Sequence, residues 1–177
     1  MDLPPAILPG DHVAAMRLAL TVARQSPCLP TKFCVGALIV NSATGQIAAT
    51  GYSLELPGNT HAEECCLLKL ARMTTTDTAA AATDLPAALE ITEPHTLYTT
   101  MEPCARRLSG RTPCVERVLA QRTWLRTVCY GIREPDTFVA TNEGLDVLRR
   151  EGVEVVHVGE LEDEIRQVAT AGHGDNR

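Results

Sequence analysis

The sequence has 177 residues, enough to bury the core of one domain, and its 45% hydrophobic and 21% charged residues are ordinary for a globular protein. Its formal net charge of −6 argues against binding along a nucleic-acid backbone, and no apolar run approaches the ~20 residues of a membrane span. The N-terminus, MDLPPAILPG, lacks the basic start and long apolar run of a signal peptide. We therefore expect a cytoplasmic protein with reduced cysteines, without nucleic-acid or membrane partners.

Helices and strands alternate along the predicted chain. Apolar residues at helical spacing predict helices, and short apolar runs bounded by turn residues predict strands. The predicted helices are 11–25, 61–73, 114–122, 142–152 and 160–170, and the predicted strands are 34–41, 46–53, 95–101, 126–132 and 153–158. After a first hairpin, this order favours an α/β protein with a largely parallel sheet, whose last two strands are parallel.

Residues 1–177 are predicted to form a single domain, without a linker or internal repeat. The Thr- and Ala-rich stretch 74–94 is typical of a surface insertion, and 171–177 is a polar tail. Asp11 is expected to cap the first helix, and Thr60 with Glu63 fits a capping box at the start of the second.

Two short motifs suggest metal chemistry. His61 and Glu63 form a His-x-Glu pair at the start of a predicted helix, and Pro-Cys104 and Cys114 follow downstream, which together is the zinc deaminase signature. One histidine and two thiolates leave the fourth position of a tetrahedral Zn²⁺ open for water, as in catalytic sites. Zinc-bound hydroxide is then expected to attack the amino-bearing ring carbon of a substrate. The remaining cysteines are expected mainly in the core.

Glu63 is the predicted catalytic residue. Its place two residues after His61 sets it beside the metal, where it would take a proton from water and pass it to the ring nitrogen and then the leaving amine. This role conflicts with the capping box, because one carboxylate cannot fully hold a helix end and also move protons.

The stretches GYSLELPGNTHAEECCLLKL and TTMEPCARRLSGRTPCVERVL resemble the pyrimidine deaminases of riboflavin biosynthesis, of the fungal type, within the cytidine deaminase superfamily. The resemblance covers roughly residues 11–158. It implies a cytidine deaminase-like three-layer α/β/α sandwich with a five-stranded mixed sheet, and a homodimer. It also implies Zn²⁺ held by His61, Cys104 and Cys114, and Glu63 as proton shuttle. The implied substrate is the phosphorylated ribitylaminopyrimidine 2,5-diamino-6-ribitylamino-4(3H)-pyrimidinone 5′-phosphate, which is deaminated to the 2,4-pyrimidinedione with release of ammonia.

Substrate contacts are predicted in two loops and at one lysine. Of Arg106, Arg107 and Arg111 between the cysteines, we favour Arg107 and Arg111, with Ser109, as phosphate contacts; the alternative is that they are solvated or hold the loop together. Before the second helix, Asn59 and Glu55 could hydrogen-bond the pyrimidine edge, or could serve only the turn. Lys32 could contact phosphate or be solvated. These candidates are Asn59, Glu55, Arg107, Ser109, Arg111 and Lys32.

Three other interpretations stay open at this point. The chain could be another zinc deaminase, acting on tRNA adenosine, cytosine or deoxycytidylate. It could be a non-catalytic, zinc-stabilised binding module. Cys104 and Cys114 could also form a disulfide, although a reducing compartment disfavours this.

Overall fold

The computed structural model describes residues 3–74, 88–107, 109–134 and 143–173. In this part of the chain five helices and five strands alternate, close to the predicted order. They are α1 (His12–Ala23), β1 (Gly36–Asn41), β2 (Ile47–Tyr52), α2 (Ala62–Thr74), β3 (His95–Met101), α3 (Cys114–Ala120), β4 (Leu125–Ile132), α4 (Gly144–Arg150), β5 (Glu154–His157) and α5 (Glu162–Ala169). A 3-10 turn, Gly159–Leu161, precedes α5.

The strands form one mixed sheet in the order β2-β1-β3-β4-β5. β1 pairs antiparallel with β2 and with β3, whereas β3, β4 and β5 run parallel to one another. The predicted hairpin and the predicted parallel arrangement of the last two strands are both confirmed. The carboxyl ends of β3 and β4 consequently lie side by side at one edge of the sheet.

Helices cover both faces of the sheet. Ala37 and Ile39 of β1 face one core, which contains residues of α2, α3 and α4. The alternate residues Leu38 and Val40 face a second core, which contains residues of α1 and α5. This alternation follows from the two-residue period of a strand. It produces the three-layer α/β/α sandwich that the resemblance implied.

The N-terminus of α2 is set by close packing on β2. A Cβ built on Gly51 would lie 2.2 Å from the Ala62 carbonyl oxygen and 2.8 Å from the Cys66 nitrogen. Only glycine allows this approach of helix and strand backbones. The packing fixes the position of His61, one residue before the helix begins.

The capping predictions had different outcomes. Asp11 does cap α1, since its Oδ1 accepts a hydrogen bond from the Ala14 amide at 2.9 Å. The capping box of Thr60 and Glu63 was wrong. Glu64 Oε2 accepts from the His61 amide at 3.3 Å, and the Thr60 hydroxyl donates to the Leu56 carbonyl. Because α2 begins at Ala62, the third helical residue is Glu64, and Glu63 is not used for capping.

The predicted insertion and tail lie partly outside the described residues. Residues 75–87 and 174–177 belong to that part. Within the described end of the insertion, Leu89 is buried and its amide donates to Gln121 Oε1 at 2.8 Å. In the tail, the ring of His173 packs at a tilt of 44° against the ring of Phe33, with the two centroids 4.9 Å apart. Within the described residues, no helix combines the length and apolar character needed to cross a membrane.

Candidate active site

Three predicted metal ligands meet at the carboxyl end of the sheet. His61 precedes α2, Cys104 follows β3 by three residues, and Cys114 opens α3. Their ligand atoms all lie within 4.8 Å of one another. His61 Nδ1 is 3.5 Å from each sulfur. All seven cysteines are free, so the alternative of a disulfide between Cys104 and Cys114 was wrong.

The arrangement fits a tetrahedral zinc ion. With Zn–S near 2.3 Å and Zn–N near 2.0 Å, a tetrahedral angle separates sulfur from nitrogen by about 3.5 Å. This matches both distances from the His61 ring. Cys65 and Cys66 are buried and do not belong to the cluster, as expected for core thiols.

The two ligand cysteines share one proton in the absence of metal. The hydrogen bond from the Cys114 thiol lowers the pKa of Cys104 to about 4, although burial opposes this, and the His61 ring adds to the effect. The pKa of Cys114 is raised by that same hydrogen bond and by burial. The site therefore already holds one thiolate, the form that binds metal.

Glu63 lies beside the ligand cluster and is only 3% exposed. Its Oε2 is 3.5 Å from Cys114 Sγ. The Thr99 hydroxyl oxygen lies 3.2 Å from Glu63 Oε1 and 2.9 Å from the Met101 carbonyl oxygen, and its single proton is donated to one of these acceptors at a time. Burial raises the pKa of Glu63, while the His61 ring opposes the increase. A carboxyl with a raised pKa next to a metal site can hold a proton and release it during a reaction.

A cavity of about 560 Å³ opens beside the ligands. Glu63, His61 and Cys104 line one part of it, together with Glu102 and Glu134. Glu102 Oε1 accepts from the Glu134 amide at 3.0 Å. Burial raises the pKa of Glu134 to about 7, and the nearby Cys104 thiolate adds to the increase.

Thr99, Glu102 and Glu134 lie beside the ligands or line the cavity but are not among the residues predicted from the sequence. A signal for the two glutamates was present, because they follow the carboxyl ends of β3 and β4. In sheets with parallel strands, ligands bind at that edge. Nothing in the sequence marks Thr99, whose position opposite Glu63 depends on how α2 packs.

The predicted substrate contacts divide into two groups. Asn59, Lys32, Ser109 and Arg107 line the cavity, and so does Arg106. Glu55 and Arg111 are not among the described lining residues. Glu55 accepts instead from Lys69 Nζ at 2.5 Å and from the Tyr52 amide. All six remain predictions as substrate contacts.

Arg107 and Arg111 turn toward Glu64. Arg107 Nη1 lies 2.7 Å from Glu64 Oε2, and Arg111 Nη2 lies 2.6 Å from Glu64 Oε1. Arg107 Nη2 also donates to the Asn59 carbonyl. Arg117 from α3 pairs with Glu64 as well, at 3.1 Å. Burial alone would raise the pKa of Glu64, but the Arg107 hydrogen bond and the charges of Arg117 and Arg107 hold it below its usual value.

Comparison with known proteins identifies the family. Residues 9–131 match the model of the cytidine and deoxycytidylate deaminase zinc-binding region. The chain belongs to this deaminase family. With the ligand geometry above, this membership supports a zinc-dependent hydrolytic deaminase and agrees with the predicted cofactor.

Individual relatives of this deaminase come from fungi and bacteria. A diaminohydroxyphosphoribosylamino-pyrimidine deaminase of Schizosaccharomyces pombe is 38% identical over 97% of the chain, which spans 40% of that relative. The crystal structure of Aspergillus oryzae Rib2 deaminase in complex with DARIPP is 37% identical, with a TM-score of 0.77, over 93% of this chain and 92% of that one. A Thermotoga maritima bifunctional deaminase/reductase gives a TM-score of 0.67 at 26% identity, over 91% of this chain and 40% of that one.

Proposed function

We propose that the protein deaminates 2,5-diamino-6-ribitylamino-4(3H)-pyrimidinone 5′-phosphate to the 2,4-pyrimidinedione, releasing ammonia, in riboflavin biosynthesis. The observation that carries this proposal is the similarity to the Rib2 deaminase bound to DARIPP, which extends over 93% of the chain. The cavity of about 560 Å³ is in the size range of pockets that bind small molecules.

Glu63 is the group that moves the protons in this proposal. His61, Cys104 and Cys114 would hold the zinc, which would lower the pKa of a bound water to near 7 and so make hydroxide available as the nucleophile. Glu63 takes the proton that this water releases and gives it to the ring nitrogen next to the reacting carbon. It then takes the second proton from the hydroxyl group newly bonded to that carbon and delivers it to the amine. The carbon–nitrogen bond breaks, the oxygen becomes the ring carbonyl, and the amine leaves as ammonia. Thr99 orients the carboxyl group through the contact with Oε1.

We propose that the phosphate binds in the part of the cavity that Lys32, Arg106 and Ser109 line. Of the three loop arginines, Arg106 is exposed and lines the cavity, whereas Arg107 and Arg111 are paired with Glu64. We therefore place Arg106 beside Lys32 and Ser109 as the phosphate contacts, with Arg107 and Arg111 as contributors of positive charge. Asn59 lines the same cavity, which supports its proposed hydrogen bond with the pyrimidine edge.

Ammonia release from several candidate substrates tests the proposed reaction. Zinc-loaded protein is assayed with the ribitylaminopyrimidine phosphate, cytidine, cytosine and deoxycytidylate at equal concentration. We expect turnover of the first compound and little turnover of the others. Turnover of cytidine or deoxycytidylate without turnover of the ribitylaminopyrimidine would refute the substrate assignment, and zinc binding with no turnover of any compound would favour the binding module.

We further propose that the protein acts as a homodimer in the cytoplasm. The seven free cysteines support a reducing compartment, and sedimentation velocity at micromolar concentration tests the assembly.

A further inference from the structure

Three arginines contact the carboxylate of Glu64 next to the ligand cluster. The side chains of Glu64, Arg107 and Arg117 are 0%, 1% and 1% exposed, and that of Arg111 is 27% exposed. Arg107 forms an ion pair with Glu64 Oε2, and Arg111 and Arg117 form ion pairs with Glu64 Oε1. Oε2 also accepts from the amide of His61. Both oxygens of this carboxylate are thus fully used.

These contacts connect the three segments that carry the metal ligands. Glu64 follows His61 by three residues, Arg107 follows Cys104 by three, and Arg117 follows Cys114 by three. Arg111 precedes Cys114 by three. His61 is therefore one helical turn from Glu64 itself. Cys104 and Cys114 are each one helical turn or one short loop from an arginine that contacts the Glu64 carboxylate.

Stability alone does not account for this arrangement. Removing a carboxylate and two guanidinium groups from water has a large free-energy cost. A protein with apolar residues of similar size in such positions is often equally stable. The cluster also carries three positive charges against one negative charge, which favours binding of a further anion and opposes burial. What the cluster does supply is a fixed distance between α2, α3 and the loop between the cysteines.

We propose that Glu64 is a positioning residue of the metal centre, which holds His61, Cys104 and Cys114 at ligating distance through its amide and arginine contacts. It touches neither metal nor substrate. Groups that support metal ligands in this way typically change metal affinity by about 10- to 100-fold when they are removed. The inference rests on the zinc site of the proposed function, but it does not depend on the substrate.

The test measures zinc affinity by competition with a chromophoric chelator, without any substrate. Glu64→Gln removes the charge, and Glu64→Asp keeps the charge but shortens the side chain by one methylene. We expect each to raise the zinc dissociation constant by about 10- to 100-fold. We also expect a changed visible absorption spectrum of the Co²⁺-loaded protein. If charge alone mattered, Glu64→Asp would bind zinc like the wild type.

Two control variants separate positioning from other effects. Glu164 contacts Arg17 and Arg24 at 3.8 Å on the surface, away from the site, so Glu164→Gln should leave the zinc dissociation constant unchanged. Leu20→Ala destabilises the core on the opposite face of the sheet, where Leu20 is 1% exposed. It should also keep wild-type zinc affinity at temperatures where the metal-free protein is folded.

Failure of one variant to fold does not remove the test. If Glu64→Gln does not fold, Glu64→Asp and Arg111→Gln are measured, because the partly exposed Arg111 can be replaced without an internal cavity. Arg111→Gln should weaken zinc binding in the same direction by a smaller factor. Wild-type zinc affinity and Co²⁺ spectrum in folded Glu64→Asp would overturn the proposal, as would equal weakening in Leu20→Ala. The substrate assignment would be unaffected by either result.

Discussion

The adjacent residues Glu63 and Glu64 should respond in opposite ways to the same substitution. Each is replaced by glutamine, which preserves the shape of the side chain and removes its charge. Glu63 is 3% exposed, and no arginine or lysine contacts it within the described part of the chain, whereas Glu64 is fully buried and pairs with three arginines. The substitution therefore relieves an unfavourable charge at Glu63 and creates unpaired charges at Glu64.

The magnitudes follow from these surroundings. Loss of a positioned proton carrier costs about 10²- to 10⁴-fold in rate, so Glu63→Gln should lower kcat by that amount. Its stability should be equal to or above that of the wild type, because the raised pKa of Glu63 shows that the folded protein disfavours its charge. Removing one partner of a buried ion pair costs about 3–5 kcal/mol. For a chain of this length, such a loss lowers Tm by about 6 to 20 °C in Glu64→Gln.

The assay combines thermal unfolding of the metal-free proteins with ammonia release and zinc content of the zinc-loaded proteins. Zinc content must be equal in wild type and Glu63→Gln, so that the loss of rate is assigned to the proton carrier. A Glu63→Gln protein that keeps its kcat would refute the catalytic role. A Glu64→Gln protein with unchanged Tm would refute the electrostatic reasoning for the arginine cluster.

Three further predictions concern the loop, the thiols and the cavity. Arg106→Ala should raise KM more than it lowers kcat, because Arg106 is proposed to hold a phosphate remote from the reacting carbon, and an unchanged KM in steady-state kinetics removes it from the binding site. In metal-free protein, Cys104 should be alkylated by iodoacetamide even at pH 6, because its pKa is about 4, and zinc should protect it; mass spectrometry of the modified peptide distinguishes it from Cys114. Glu134 has a pKa of about 7 in the folded protein, above its ordinary value of 4.5, so its contribution to stability is present at low pH and is lost as pH rises to 7. The Tm of metal-free Glu134→Gln minus that of the metal-free wild type should therefore increase from pH 4.5 to pH 7 and stay constant above pH 7. A Tm difference that does not vary with pH contradicts the raised pKa.

The sheet and its helices could be predicted because they depend on local patterns. The apolar run around β1 and the alternation of strands with helical spacing are properties of short stretches, and the parallel pairing of β4 and β5 follows from the helix between them. Element ends moved by at most two residues. At α2 this small shift mattered, because it exchanged the roles of Glu63 and Glu64 and so resolved the conflict between capping and catalysis.

The metal ligands could also be predicted, since their residue types and order carry the chemistry of zinc. The groups that long polar side chains contact could not be predicted from the sequence. Arg107 and Arg111 can reach several Å in many directions, and the sequence does not show that a buried carboxylate lies on the other side of the loop. The partner of Glu55 is similarly hidden, because Lys69 becomes its neighbour only when α2 packs against β2.

The nine residues between Cys104 and Cys114 acquire a second purpose from these contacts. A Cys-x-x-Cys turn has only two residues between its ligands, too few to hold arginines on both sides of a buried carboxylate. The longer loop places Arg107 and Arg111 on different oxygens of Glu64 and leaves Arg106 on the cavity side. The loop can therefore hold the ligands in place from its inner side while its outer side meets an anionic substrate. On this interpretation the spacing of the cysteines is required by the metal centre as well as by the phosphate, and the zinc affinity of the Glu64 variants decides between a joint role and a purely substrate-facing one.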